Sequence, residues 1–277
     1  MGKLKKYSKE YHRQSNISFK YFYKHLSQIV VNMFNWEELP AGVSSRFIER
    51  ALIEDGFILY TEKNSIPRFT RGVAYGINPY EEPIKYQAIS VDGSEKEILT
   101  PYVNCIPIFN DIDFSSSIPD INYFATKLNA VDKTINENLE HLKNPYIIGC
   151  SEGARLTLEN ILKQKTEGVP YILCDENMSG ISQLSLFNTN PHDFTGSLHE
   201  TKTNIKNDFL THFGINNVNI FKRERLTSGE NESNNDEIMI NRNNRLLPRQ
   251  KALKEIEKLY GKKYEVTYNG GVDLDVE

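Results

Sequence analysis

The sequence predicts an α+β chain that combines long amphipathic helices with small β-containing regions. Three observations carry that reading. Apolar side chains recur at three- and four-residue spacing over Ser15–Trp36 and Pro119–Leu142. Short apolar runs cut by Gly, Pro and Asn fill Phe57–Leu99, the pattern of strands joined by turns. Between Tyr146 and Leu173 a strand–helix–strand pattern follows in a compact span.

Taken in order, Phe19, Phe22, Tyr23, Leu26, Ile29, Val30 and Met33 form the apolar stripe of a first helix, Ser15–Trp36. Pro40 sets its limit, because the residue before a proline avoids helical backbone. A short helix is expected over Ser45–Glu54 and closed by Gly56. Phe57–Tyr60 and Tyr86–Ile89 read as strands, and Val103–Phe109 as another, interrupted at Pro107. Pro119–Leu142 is the clearest helix, about 30–35 Å long at the usual rise. Its apolar face is Ile121, Phe124, Leu128, Val131, Ile135, Leu139 and Leu142, and Lys127, Asn129, Lys133, Glu137 and Glu140 form the opposite, polar face. Pro191–Phe213 reads as a second long helix with sparse apolar positions, stopped by Gly214. Thr227–Arg245 is Asn-rich and polar, which predicts a loop. Lys251–Tyr260 returns to helix, and Tyr264–Tyr268 to strand.

Hydrophobic residues at 39% and charged residues at 25% place the chain among soluble globular proteins, with one or two domains. No apolar run is long enough to span a membrane, and the basic start MGKLKK is not followed by the apolar stretch of a secretory signal. Cys105, Cys150 and Cys174 fit no zinc spacing and read as reduced thiols. His25, His141, His192, His199 and His212 are scattered, and P-loop, His-Glu-x-x-His and dinucleotide fingerprints are absent, so no cofactor or metal is expected. ATP-driven work would need a partner.

One motif points to catalysis. Gly149-Cys150-Ser151-Glu152-Gly153 matches the G-x-S-x-G nucleophile elbow, with Asp175 and His199 following in hydrolase order. That elbow belongs on top of a multi-stranded parallel sheet fed by several βα units, and only one such unit is legible here. A turn whose Ser151 or Glu152 caps the next helix accounts for the same residues. The expectation is therefore a chain that is not an enzyme, with a serine hydrolase acting through Ser151 as the alternative.

Several strings, in order, resemble the upper collar (portal) proteins of Salasvirus-type short-tailed phages. They are Phe34-Asn35-Trp36-Glu37-Glu38-Leu39-Pro40, Lys143-Asn144-Pro145, Phe213-Gly214-Ile215-Asn216-Asn217-Val218-Asn219 with Lys222-Arg223-Glu224-Arg225, Ser233-Asn234-Asn235-Asp236-Glu237, and Leu259-Tyr260-Gly261. The resemblance implies a portal fold: a β-rich and helical wing (1–117), a stem helix (118–144), a small βαβ-like clip (145–190), a second stem helix (191–214), a channel loop (215–245), and a C-terminal helix and strand returning to the wing or crown (246–277). It further implies a homo-oligomeric ring of twelve copies at one capsid vertex. Through the ring double-stranded DNA is packaged, retained and ejected, and head is joined to tail. Implied partners are capsid protein, scaffold, a packaging ATPase, a packaging RNA and a lower collar or tail protein.

On that reading Lys202 and Lys206, one turn apart, are channel-lining candidates, with Lys222, Arg223, Glu230, Asn231 and Glu232 in the loop. The N-terminal arm Lys3, Lys5 and Lys6 is the candidate contact for RNA or motor. A net charge of −4 suits a channel that passes DNA without gripping it, because each neutralised phosphate strengthens binding.

Overall fold

The computed structural model describes residues 2–89, 96–142, 194–217 and 228–269. Two compact units are distinguished, Met1–Lys133 with His199–Glu277, and Thr134–Leu198. The strand–helix–strand unit expected over Tyr146–Leu173 lies outside the described residues, as do Ser151 and Asp175.

Within the larger unit the order begins with α1 (Gly2–Val31), β1 (Phe34–Glu37) and α2 (Ser45–Asp55). Helix α1 stops before the expected boundary at Trp36. Residues 34–37 alternate buried and exposed instead, and pair antiparallel with a strand from the chain's far end, β8 (Glu265–Tyr268), Phe34 facing Tyr268 and Trp36 facing Val266. Phe34 and Trp36 thus enter the core with the strand's two-residue period. Helix α2 matches its expected span. The Ser44 hydroxyl accepts from the Phe47 N–H at 3.2 Å, and Gly56 closes the helix at φ +82°, its N–H on the Leu52 carbonyl.

The β segment resolves into two antiparallel three-stranded sheets. β2 (Phe57–Lys63) is flanked by β3 (Ile66–Thr70) and β7 (Ile106–Phe109), so Pro107 sits on a strand that has β2 on one side. The second sheet orders β4 (Gly72–Ile77), β5 (Pro83–Ile89) and β6 (Lys96–Leu99). Leu59, Tyr86, Ala88, Leu99 and the free thiol of Cys105 form a small core where the sheets face each other, and burial pushes that thiol up to about 12.

Helix α3 (Ile118–Leu142) and helix α4 (Thr195–Phe213) follow, then α5 (Ser228–Tyr260). The helical backbone of α5 from Ser228 through Arg245 replaces the loop expected over Thr227–Arg245. The reason is tertiary. Asn241 donates to the Thr211 carbonyl at 2.9 Å, Arg242 donates to the Gly214 carbonyl at 2.9 Å, and Ile238 is buried, so contacts with the end of α4 outweigh weak helix propensity. The large core of the unit gathers Met33, Trp36, Leu52, Ile58 and Tyr60 with Leu253 and Ile256 of α5. A second cluster joins α1, α3 and α4 through Phe22, Leu26, Ile121, Phe124, Leu128, Phe209 and Phe213.

In the smaller unit the described residues are the last turns of α3 and the start of α4. There Ile135 is buried and the Thr195 hydroxyl donates to Asn138 Oδ1 at 3.1 Å.

Candidate functional site

Helices α3 and α4, for which the resemblance implies the role of stem, and the residues that anchor them are the part of the chain that bears on the expected function. In the larger unit α3 and α4 run antiparallel, as their contacts show: Asp120 reaches His212 at 3.3 Å, Phe124 stacks edge-on against Phe209 at 5.4 Å, and Asp132 meets Lys202 at 2.6 Å. The expected apolar face of α3 is inward at Ile121, Phe124 and Leu128, but Asn129, assigned to the polar face, is buried. Ala125 beside it is fully buried too, so the covered stripe is wider than three- and four-residue spacing alone implies. Helix α4 buries only Phe209 and Phe213 among its residues, in keeping with its sparse apolar pattern.

Lys202 is not a freely projecting cation. Its ammonium donates to Asp132 Oδ1, lies 5.0 Å from the Phe22 ring centroid, and is partly covered. The Ser18 hydroxyl of α1 donates to the other Asp132 oxygen at 2.8 Å, so one carboxylate joins three helices. Burial pushes the Asp132 carboxyl up, but the hydrogen bonds from Lys202 and Ser18 and the Lys202 charge together bring it below the ordinary aspartate range. A depressed folded-state value contributes stability that is present above the unfolded value and is lost as pH falls through the folded one. Asp132→Asn is therefore expected to lose about 1 kcal/mol near neutral pH. The deficit should close below about pH 4, which urea titrations of both proteins at pH 7 and pH 3 would show.

Lys206, one turn further along α4, is exposed. Glu230, Asn231 and Glu232 fall within the helical span of α5, and Lys3, Lys5 and Lys6 within α1. Lys222 and Arg223 lie outside the described residues. His199 is exposed on α4, on a helix and not on a loop. Among the described residues no group of His, Cys, Asp and Glu is placed to hold a metal ion, and no helix is long and apolar enough to cross a membrane.

What sequence reading missed is a buried polar anchor beneath the helices. Arg249 of α5 is about 1% exposed and forks onto Glu49 of α2, Nε to Oε1 at 2.9 Å and Nη2 to Oε2 at 2.8 Å. The remaining Arg249 donor reaches the Asn110 carbonyl at 2.6 Å and the Arg245 carbonyl at 2.7 Å. The Trp36 indole donates to Glu49 Oε1 at 2.8 Å, and the Arg249 guanidinium lies 4.5 Å from the Phe34 ring centroid. One turn earlier Arg245 donates to Ser117 Oγ at 2.8 Å and covers Phe213 at 4.5 Å. Burial, and then the Arg249 charge, bring the Arg245 guanidinium down to about 10. Asn110 donates to the same Ser117 oxygen, immediately before α3. The network therefore fixes the start of α3 and the end of α4 onto α2, β1 and α5. The spacing Arg245–Arg249, i to i+4 around Pro248, was the available signal.

Comparison with known proteins agrees with this architecture. The family described as Phage Connector (GP10) matches residues 3–272. A solved structure titled "Portal and tail of native bacteriophage P68" contains a chain that superposes with a TM-score of 0.56 at 14% identity, covering 96% of this chain and 91% of that one. A chain of the structure titled "Virion of native gene transfer agent (GTA) particle" gives a TM-score of 0.48 at 14% identity, covering 89% of this chain and 78% of that one. The family match over nearly the full length means that this chain belongs to the phage connector family, on a mixed helix-and-sheet fold shared with a chain of that portal-and-tail assembly.

Proposed function

We propose that this connector acts as a ring of identical copies around a bore that carries double-stranded DNA, with twelve copies as the Salasvirus-type resemblance implies. The observation that carries the reading is the exposure of α4: within its own unit it buries Phe209 and Phe213 and leaves the other faces to water or to neighbours. A rod of that kind suits the lining of a channel. Obligate ring interfaces of this sort usually bury more than about 2,000 Å².

Lys206 is the favoured basic residue for the bore, because the Lys202 charge is compensated by Asp132. Lys222, Arg223, Glu230, Asn231 and Glu232 are proposed to face DNA, and Lys3, Lys5 and Lys6 to meet a packaging ATPase or RNA. Capsid protein, scaffold and a lower collar or tail protein are the other partners, and residues 145–190 form the clip. The acidic balance of the chain, −4, keeps the summed attraction for phosphates low.

No catalytic step is assigned. Negative-stain images of the purified chain are expected to show rings with a central hole, and Ser151→Ala is expected to leave them unchanged. Uniform small particles, or labelling of Ser151 by a fluorophosphonate, would count against the reading.

A further inference from the structure

The sheet β4–β5–β6 has one exposed face, and that face breaks the ordinary rule for a sheet covered on one side. An antiparallel sheet packed on one side shows apolar residues inward and polar ones outward. Here the inward set, Tyr86, Ala88 and Leu99, is buried against Leu59 and Phe57, as expected. The pairing register places Val73, Gln87 and Ile98 in one outward row and Tyr75 beside Lys85 in the next. Tyr75 is 72% exposed, Ile77 71% and Ile98 66%. A contiguous outward face of large apolar side chains marks an interaction surface, and exposed tyrosine is the residue type that anchors one.

The opposite side of the same sheet carries a concave counterpart. Ile84 and Tyr86, which belong to the inward set, line a groove with Tyr102 and Phe109. It continues into a larger groove of about 480 Å³ between the residues after β7 and helix α5, lined by Ile112, Phe114 and Leu247. Glu82, Glu255, Lys251 and Lys254 also line it, while Lys85 is exposed beside Tyr75 on the outward face.

One chain thus bears an exposed apolar face and an apolar groove on the two sides of a single layer. That is the requirement for head-to-tail association, in which one patch of each copy meets the other patch of the next and closure makes a ring. A partner unlike this chain would account for one patch, and a second copy accounts for both. The charges that line the groove balance, Glu82 and Glu255 against Lys251 and Lys254, so the groove offers carboxylate partners to Lys85 of a neighbouring copy without a net repulsion.

We propose that the outward face of β4–β5–β6 seats in the Tyr102–Phe114–Leu247 groove of the neighbouring copy and is a principal subunit contact. This inference rests on the ring reading above. A photo-reactive phenylalanine analogue placed at position 75 of the full chain is expected to cross-link to a peptide of another copy spanning residues 102–114 or 247–255. Tyr75→Arg with Ile77→Arg, at positions too exposed to disturb the core, is expected to raise the concentration needed for assembly at least tenfold by mass photometry, with an unchanged melting temperature. Rings that form as in the wild type, or cross-links confined to other peptides or to coat protein, overturn the contact while leaving the ring reading intact. A wild-type chain that stays monomeric removes both.

Discussion

Arg249→Ala is expected to lower folding stability by about 3–5 kcal/mol, because it strands a carboxylate in the core. Glu49 is about 1% exposed, and it would keep only the Trp36 indole as a donor at 2.8 Å. The Asn110 and Arg245 carbonyls would each lose a short hydrogen bond as well. The comparison that makes this specific is the paired replacement Glu49→Leu with Arg249→Met. Removing both charges and keeping apolar volume is expected to recover most of the loss, as buried ion pairs generally behave when replaced whole. Equilibrium denaturation of the three proteins measures it. A double variant as unstable as the single one would mean that the pair acts mainly through its hydrogen bonds to Asn110 and Trp36. If the single variant survives, assembly should still suffer, since α3 and α5 share this anchor.

Gly214→Ala is the second large effect, expected at about 2–5 kcal/mol, the sum of left-handed backbone strain and overpacking. Gly214 stands at φ +75°, and a Cβ there would fall 2.3 Å from the Arg242 backbone nitrogen of α5. Backbone cannot swing aside as a flexible side chain does, so the helix itself would have to move. Arg242 also donates to the Gly214 carbonyl at 2.9 Å and lies 3.7 Å from the Tyr268 ring centroid, so a displaced helix would loosen β8 too. The control is Gly261→Ala, where φ is +66° but no atom lies within 4 Å of the added Cβ. Only the strain of about 1–2 kcal/mol should appear there. Equal losses at the two positions would show that the close approach of α4 and α5 contributes nothing.

Helices α3 and α4 were legible because their cause is local. Ile121, Phe124 and Leu128 repeat with the helical period, and Phe209 and Phe213 do so on α4, so the apolar centre of each inward face follows from spacing, while the burial of Asn129 beside it does not. Gly56 and Gly214 were legible as helix stops for the same reason. The strand at 34–37 was not, although Phe34 and Trp36 alternate with Asn35 and Glu37. A four-residue alternation at the end of a helical pattern is decided by its partner, and that partner is 231 or so residues away at 265–268. Lys202 was legible as a cation on a polar helix, but not as half of a pair with Asp132.

The sequence by itself determined which segments are helix and which are strand through most of the described chain, where the helix stops fall, and, through its family, that this is a phage connector. Tertiary structure decided the rest. It made helix of the Asn-rich stretch after Ser228, because contacts with Thr211 and Gly214 supply what its composition lacks. It joined Glu49 to Arg249, because a buried charge is tolerable only with a partner that the fold, and not the local sequence, brings within reach.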